Sequence, residues 1–269
     1  MRYVRALNVG EAVEELVAGA VALSGGTALV PQLARGQLDV PAVVDVGRLH
    51  ALRELRSDAE ALHLGAALPL AALVDAADLP AEHAALAESA GAVGNPLVRR
   101  VGTVGGNVGL GLPQADLAPT LIALDATVVC AGPAGEERHP VAVAIGGGLP
   151  PGRLMVAFSF RRRPAGRSAF VKFASRHSTA GALVSIAAAL WHENGHGPVL
   201  RLAAGGVVPP FLLPELDDAL VDGEPSPETI AAVAEAAAEA VAAVVPTIDE
   251  YRRWLVVAGV RRALARVVA

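Results

Sequence analysis

Ser24-Gly25-Gly26-Thr27 stands between an apolar run that reads as a strand, Ala20-Val21-Ala22-Leu23, and one that reads as a helix, Ala28 to Arg35. Glycine there permits positive φ and lets backbone N–H groups approach an anion, while a helix N-terminus adds partial positive charge. Taken singly, the cluster also fits a tight strand–helix turn. Its spacing matches neither the G-x-G-x-x-G fingerprint nor the Gly-Lys-Ser/Thr phosphate loop. A second cluster, Arg99 to Asn107, sets Gly102, Gly105 and Gly106 beside Thr103, Val104 and Asn107. Asp116 follows and heads Leu117-Ala118-Pro119, a predicted helix start where a carboxylate can also serve only as a cap. Two glycine-rich anion loops and one carboxylate together suit a bulky dinucleotide, with backbone donors for a diphosphate and an acceptor for ribose hydroxyls.

Of 22 basic side chains, one is a lysine, Lys172 in Phe170-Val171-Lys172-Phe173. Coding bias toward arginine explains the ratio; a lysine that survives it hints that its amine is needed. The net charge of −5 gives no electrostatic reason to coat a phosphate backbone, so nucleic-acid binding is not expected. No apolar run approaches the ~18 residues of a membrane span, and the N-terminus lacks a signal-peptide core. One cysteine, Cys130, makes no intrachain disulfide, zinc cluster or iron–sulfur ligand set and reads as an inert core thiol. A cytoplasmic home is the expectation. His192 and His196 are separated by Asn194-Gly195, a turn signal, so no metal site is expected there.

The elements that must position these residues follow from periodicity. Tyr3 to Ala6 reads as a strand, Asn8 as a cap, Glu11 to Ala18 as a helix and Val43 to Val46 as a strand, a βαβ-like opening. Strands are expected at Leu62–Gly65 and Thr127–Cys130, helices at 68–75 (despite Pro69) and 81–93, and a loop at Gly146-Gly147-Gly148. Arg161-Arg162-Arg163 reads as a solvated linker or part of a subunit contact. Strands at 169–173, 184–191 and 199–202 then give way to an Ala/Glu-rich helix from Pro227 to about Val244 and a last helix from about Asp249 to Val267. Strands followed by helices make the last hundred residues or so an α+β unit, and the Ala-rich helix reads as packed core.

At these residues the chain resembles a known family. Ser24-Gly25-Gly26-Thr27-Ala28-Leu29, with Pro41 and Val44-Asp45-Val46, is similar to the first FAD loop of the FAD-binding medium subunits of molybdenum hydroxylases. That family includes carbon monoxide dehydrogenase medium chains and the flavin portion of xanthine dehydrogenase. Arg99 to Asn107 with Ala115-Asp116-Leu117-Ala118-Pro119 resembles its second loop, and the likeness extends to Gly205-Gly206-Val207 and Tyr251-Arg252-Arg253-Trp254-Leu255. The resemblance implies an α+β fold: a two-part FAD-binding domain of the molybdenum-hydroxylase/vanillyl-alcohol-oxidase type, residues 1–163 with parts at about 1–50 and 51–163, then a small C-terminal α+β domain, 164–269. It also implies that Ser24, Gly25, Gly26, Thr27, Ala28 and Leu29, with Thr103, Val104, Gly105, Gly106 and Asn107, cradle the diphosphate and its neighbours. Asp116 is expected on the ribityl or adenosine side, Val93 and Leu154 near the flavin ring, and Lys172 at the flavin itself. The implied function is electron transfer within a complex. A molybdopterin-binding large subunit oxidises substrate, a small subunit relays electrons through [2Fe–2S] clusters, and this chain passes them from FAD to NAD or another acceptor.

The sequence departs from the family pattern at Ala28, at Arg176 to Ala182 (where an acid and an aromatic are lost), around Gly146–Gly148, and at Arg153. Backbone-mediated binding of the diphosphate is expected to survive these changes. Two rival readings are a stand-alone flavin oxidoreductase, for which no substrate base is apparent, and a flavin-free structural subunit of the same complex.

Overall fold

The computed structural model describes residues 1–175, 181–193, 197–206, 210–214 and 226–269. The departures at Arg176–Ala180, the Asn194-Gly195 turn with His196, and Val207 lie outside the described residues.

The chain opens as a parallel unit: β1 (Arg2–Arg5), α1 (Val9–Val17), β2 (Val21–Leu23), α2 (Leu29–Ala34) and β3 (Ala42–Asp45), with strand order β1-β3-β2. Asn8 starts α1 by accepting from Glu11 N–H at 2.9 Å, and Glu11 reaches back to accept from Leu7 N–H at 2.8 Å, a reciprocal cap. β3 lies between its neighbours, and its Ala42, Val43 and Val44 are all buried, as befits a central parallel strand.

Next come β4 (Leu55–Ser57), β5 (Ala61–Gly65), α3 (Leu70–Val74), α4 (Ala84–Gly91), α5 (Pro96–Val101), α6 (Val104–Gly109), α7 (Leu117–Ala123), β6 (Thr127–Gly132), β7 (Gly135–Pro140), α8 (Val141–Gly147) and β8 (Leu154–Arg161). The strands form an antiparallel sheet ordered β4-β5-β8-β6-β7. Pro69, expected inside a helix, caps α3 instead, because its ring and missing N–H suit only a helix start. Gly146 and Gly147 end α8 rather than forming a loop; Gly148, at φ 71°, stops it. Arg161 closes β8 and is not linker.

The last unit comprises β9 (Arg167–Ala174), β10 (Ala182–His192), β11 (Pro198–Gly205), β12 (Phe211–Leu212), α9 (Pro227–Val244) and α10 (Glu250–Val268), the strands antiparallel in the order β12-β11-β10-β9. Alternation along β10 serves two cores. Val184, Ile186 and Ala188 pack with α9 and α10, including Val241, Val256, Val260 and Leu264. Ala187, Ala189 and Trp191 face the other way, into a cluster with Leu86, Leu121, Phe158 and Phe160. The Ala-rich α9 is packed core, through Val233, Ala234, Ala237, Ala238 and Val241.

α4 covers the free edge of β9. Ala85 N–H donates to Ser168 Oγ at 3.0 Å, Phe170 N–H to Glu88 Oε2 at 2.8 Å, and Lys172 Nζ to the Ala92 carbonyl at 2.9 Å. Positions 85, 88 and 92 share one helix face while 168, 170 and 172 alternate on the strand, so helix and strand periods are brought into step. Arg266 of α10 completes the clamp, donating to the Phe170 carbonyl at 3.1 Å and pairing with Glu88.

Candidate functional site

A cleft of about 610 Å³ opens at the carboxyl end of β2, the end of a parallel sheet where ligands characteristically bind. Ser24 to Leu29 all line it. Gly26 takes φ 69°, which a side chain would strain. Among the described residues the amides of Gly25, Gly26 and Thr27 donate no hydrogen bond. Ser24 Oγ is buried and also lacks a partner among them. Buried polar groups are normally paired, so this loop holds donors in reserve for something outside the chain. Ala28 heads α2 with no side-chain cap, leaving that terminus open as well.

The second cluster behaves differently. Thr103 caps α6, accepting from Gly106 N–H at 3.2 Å. Val104 N–H donates to the Leu68 carbonyl at 3.0 Å, Gly105 N–H to Ala66 at 2.8 Å and Asn107 N–H to Thr103 at 2.9 Å. The amides of Val104 to Asn107 are therefore spent inside the chain, and the expected pair of donor loops reduces to one donor loop and one largely close-packed wall. Thr103, Gly105, Gly106 and Asn107 line the cleft; Val104 does not and is fully buried. The glycines are needed for proximity: a Cβ on Gly105 would stand 2.8 Å from Ala66. A Cβ on Gly25 would stand 2.0 Å from the Val101 carbonyl, so the two loops, distant in sequence, are in contact.

Asp116 and Lys172 pair with each other at 2.7 Å, Lys172 Nζ also holding the Ala92 carbonyl. Neither lines the cleft; they stand behind Val93, which follows Ala92 and does. Asp116 makes no side-chain cap at the start of α7; Asn107 does that work, its Oδ1 accepting from Leu117 N–H at 3.2 Å. Burial pushes the Asp116 carboxyl up to about 6, against the lowering effect of the Lys172 ammonium, and its Oδ1 has no partner among the described residues.

Leu154 lines the opposite wall with Met155 and the Leu149–Arg153 segment. Arg153 is fixed by Glu137 of β7 at 2.9 Å and by the Pro151 carbonyl at 3.1 Å; hydrogen bonding to Arg153 holds the partly buried Glu137 carboxyl below its ordinary range. Arg153 is the only ionisable side chain among the described lining residues. Sequence reasoning did not single out Leu52, Ala66, Leu70, Val98, Leu110 or the 149–152 segment, since apolar residues carry no local mark of which cavity they face. Gly152, at φ 73° after two prolines, was the one available signal there.

Arg161-Arg162-Arg163, expected as linker or subunit contact, is spent within the chain from its second residue on. Arg162 Nε donates to Glu82 at 2.7 Å. Arg163 lies over the Trp191 ring, 3.5 Å from its centroid, and binds the Leu124 carbonyl and Asp125, each at 3.2 Å.

Residues 1–146 match the family model described as the FAD-binding domain in molybdopterin dehydrogenase. The chain belongs to that family. Residues 169–267 of this family member match a second description, the CO dehydrogenase flavoprotein C-terminal domain. It is 28% identical over 278 residues to 6-hydroxypseudooxynicotine dehydrogenase complex subunit alpha of Paenarthrobacter nicotinovorans, spanning 99% of this chain and 94% of that one. It is 29% identical to the xanthine dehydrogenase FAD-binding subunit of Escherichia coli O157:H7, over 77% of this chain and 74% of the relative. Carbon monoxide dehydrogenase from Hydrogenophaga pseudoflava superposes with a TM-score of 0.87 at 25% identity, covering 99% and 96% of the two chains. The α+β architecture is that of the family, whose named members are dehydrogenase subunits. Among the described residues no helix is long and apolar enough to cross a membrane.

The cleft of this FAD-binding family member suits the cofactor class on its own terms. Unpaired amides and an orphaned hydroxyl supply donors for a diphosphate, and Leu70, Val93, Val98, Leu154 and Met155 supply apolar walls for a flat ring.

Proposed function

We propose that this chain is the flavin-bearing medium subunit of a three-chain molybdenum hydroxylase, holding FAD in the cleft between the two glycine loops. The unspent donors of the first loop carry the reading: nothing among the described residues uses the amides of Gly25, Gly26 and Thr27 or the hydroxyl of Ser24. These groups would take the diphosphate oxygens, with Ala28 and Leu29 continuing the floor. Thr103, Gly105, Gly106 and Asn107 would close the facing wall, held there by Val104, and Val93 and Leu154 would flank the ring. Bound FAD supplies the one- and two-electron redox chemistry that amino-acid side chains lack. The Lys172 ammonium would place positive charge behind Val93, favouring negative charge that develops on reduction; Asp116 would hold that ammonium in position.

A partner small subunit with [2Fe–2S] clusters would deliver electrons that a molybdopterin-binding large subunit removes from substrate, and NAD or another external acceptor would receive them. The cytoplasm suits such a complex. The stand-alone oxidoreductase is disfavoured because no carboxylate, histidine or lysine among the described residues lines the cleft. The same reading divides the chain at residues 163 and 164; a core cluster built only from residues 169 onward supports it.

The visible spectrum of the purified protein, with mass identification of flavin released by acid, tests the proposal. Stoichiometric FAD is expected. No flavin, even after incubation with excess FAD, would overturn it in favour of the flavin-free subunit.

A further inference from the structure

Asp116 and Lys172 stand one residue behind the cleft wall on two sides. Lys172 Nζ holds the carbonyl of Ala92, and Val93, which follows, lines the cleft. Asn107, also in the wall, accepts from the N–H of Leu117, the residue after Asp116. The pair uses only half of the carboxyl. Oδ2 takes the ammonium at 2.7 Å, while Oδ1 is buried and has no partner among the described residues. One turn along α7, Thr120 is fully buried and its Oγ1 is also without a partner among them. Positions four apart share a helix face, and buried polar atoms are normally paired. A single proton would satisfy both oxygens, because a neutral carboxyl has an O–H to donate and a threonine hydroxyl can accept it.

The carboxyl therefore has two complete states: ionised on Lys172, or neutral with its proton on the Thr120 side. Other charges are committed elsewhere. α6, α8 and β12 carry no charged side chain. Glu88 of α4 takes Arg266 and the Phe170 N–H, and Arg99 of α5 donates to the Val93 and Gly94 carbonyls. Arg201 of β11 binds at the far end of α7, on the Ile122 carbonyl and Asp125, and His192 is the last residue of β10.

We infer that Asp116 is a proton store for the redox reaction: when the cofactor is reduced, a proton from solvent settles on Asp116 Oδ1 with Thr120 Oγ1 as its acceptor. This rests on the flavin reading above. Two electrons entering the cleft with one proton leave net negative charge there. The Lys172 ammonium answers that charge, and Asp116, deprived of its counter-ion, takes up the second proton. Each cofactor thus consumes two electrons from the reductant and two protons from solvent, one proton held on the flavin and one on the carboxyl. Burial has already brought this carboxyl to about 6, so a modest negative field protonates it at neutral pH.

The test uses the full-length chain loaded with FAD and reduced at an electrode. Infrared spectra, reduced minus oxidised, should show a new neutral-carboxyl band that moves in heavy water. An indicator dye should count about two protons taken up per FAD near pH 7. Asp116→Asn should lose the band and fall to about one proton. Thr120→Val, similar in shape, should keep FAD, shift the band because the carboxyl O–H has lost its acceptor, and lower the count. A wild-type spectrum without the band, an unshifted band in Thr120→Val, or an unchanged count in Asp116→Asn with FAD retained would each overturn the proton store alone. The first two outcomes decide the matter even where Asp116→Asn loses FAD. A wild-type chain that neither holds nor takes up FAD would overturn the flavin reading and this one with it.

Discussion

Lys172→Met should destabilise the flavin-free protein by an amount that grows with pH. In the wild-type fold Asp116 loses its proton at about 6, against an ordinary 3.8, because burial outweighs the ammonium beside it. The native state therefore holds that proton more tightly than the unfolded chain. This group's contribution is fully present below 3.8, falls as pH rises to about 6, and is flat above. Each pH unit is worth about 1.4 kcal/mol, so ionising Asp116 in the fold costs on the order of 3 kcal/mol. Removing the ammonium raises the carboxyl further and extends the falling region upward. At pH 5, where Asp116 is mostly neutral in both proteins, the variant should lose only the bond to Ala92 and some packing, about 1 kcal/mol. Between pH 6 and 8 the gap should widen by up to ~3 kcal/mol. Urea midpoints at pH 5, 6, 7 and 8 measure it, and Asp116→Asn/Lys172→Met should abolish the widening. An equal cost for Lys172→Met at pH 5 and pH 8 would refute the assignment of a desolvated carboxyl held by this lysine.

Three further outcomes can be checked. Ser24→Ala removes a buried unpaired hydroxyl and should stabilise the flavin-free protein by about 1 kcal/mol while weakening FAD binding; thermal melts and flavin titration should move in opposite directions. Gly25→Ala drives a methyl into the Val101 carbonyl and should cost roughly 1–3 kcal/mol, with loss of FAD from the purified protein. Arg163→Lys keeps the charge but loses the planar contact on Trp191. It should cost about 1 kcal/mol or more, and the emission of Trp191, isolated in a Trp254→Phe background, should shift.

Local signals in the sequence were read well because they need no tertiary information. The cap at Asn8, the starts of α9 and α10 and the order of the glycine clusters all follow from neighbouring residues. β7 escaped notice because Glu136, Glu137, Arg138 and His139 give it no apolar alternation; it is a polar edge whose register is set by β6. The loops resemble each other as donor sites, yet among the described residues three successive amides, Gly25 to Thr27, are unspent in the first while Val104 to Asn107 are all spent in the second. The difference lies in carbonyls of Ala66 and Leu68, which are far from the second cluster in sequence. Asp116 and Lys172 were each singled out, but their pairing spans 56 residues and depends on α4 meeting β9 in one register. The three arginines looked like linker because charge runs are usually solvated; Trp191, which receives Arg163, is supplied by a strand that only the fold brings near.

The clamp of α4 on β9 has a consequence for recombination among relatives. The apparent seam between the FAD-binding and C-terminal regions is not a clean place to cut, because the lone lysine is carried by one side and registered by the other. A chimera that takes β9 to α10 from a relative must also bring a matching α4, with partners for Ser168, Phe170 and Lys172 at positions 85, 88 and 92. An exchange at the seam therefore has to carry α4 along with the sheet it covers, although that helix lies well inside the FAD-binding region.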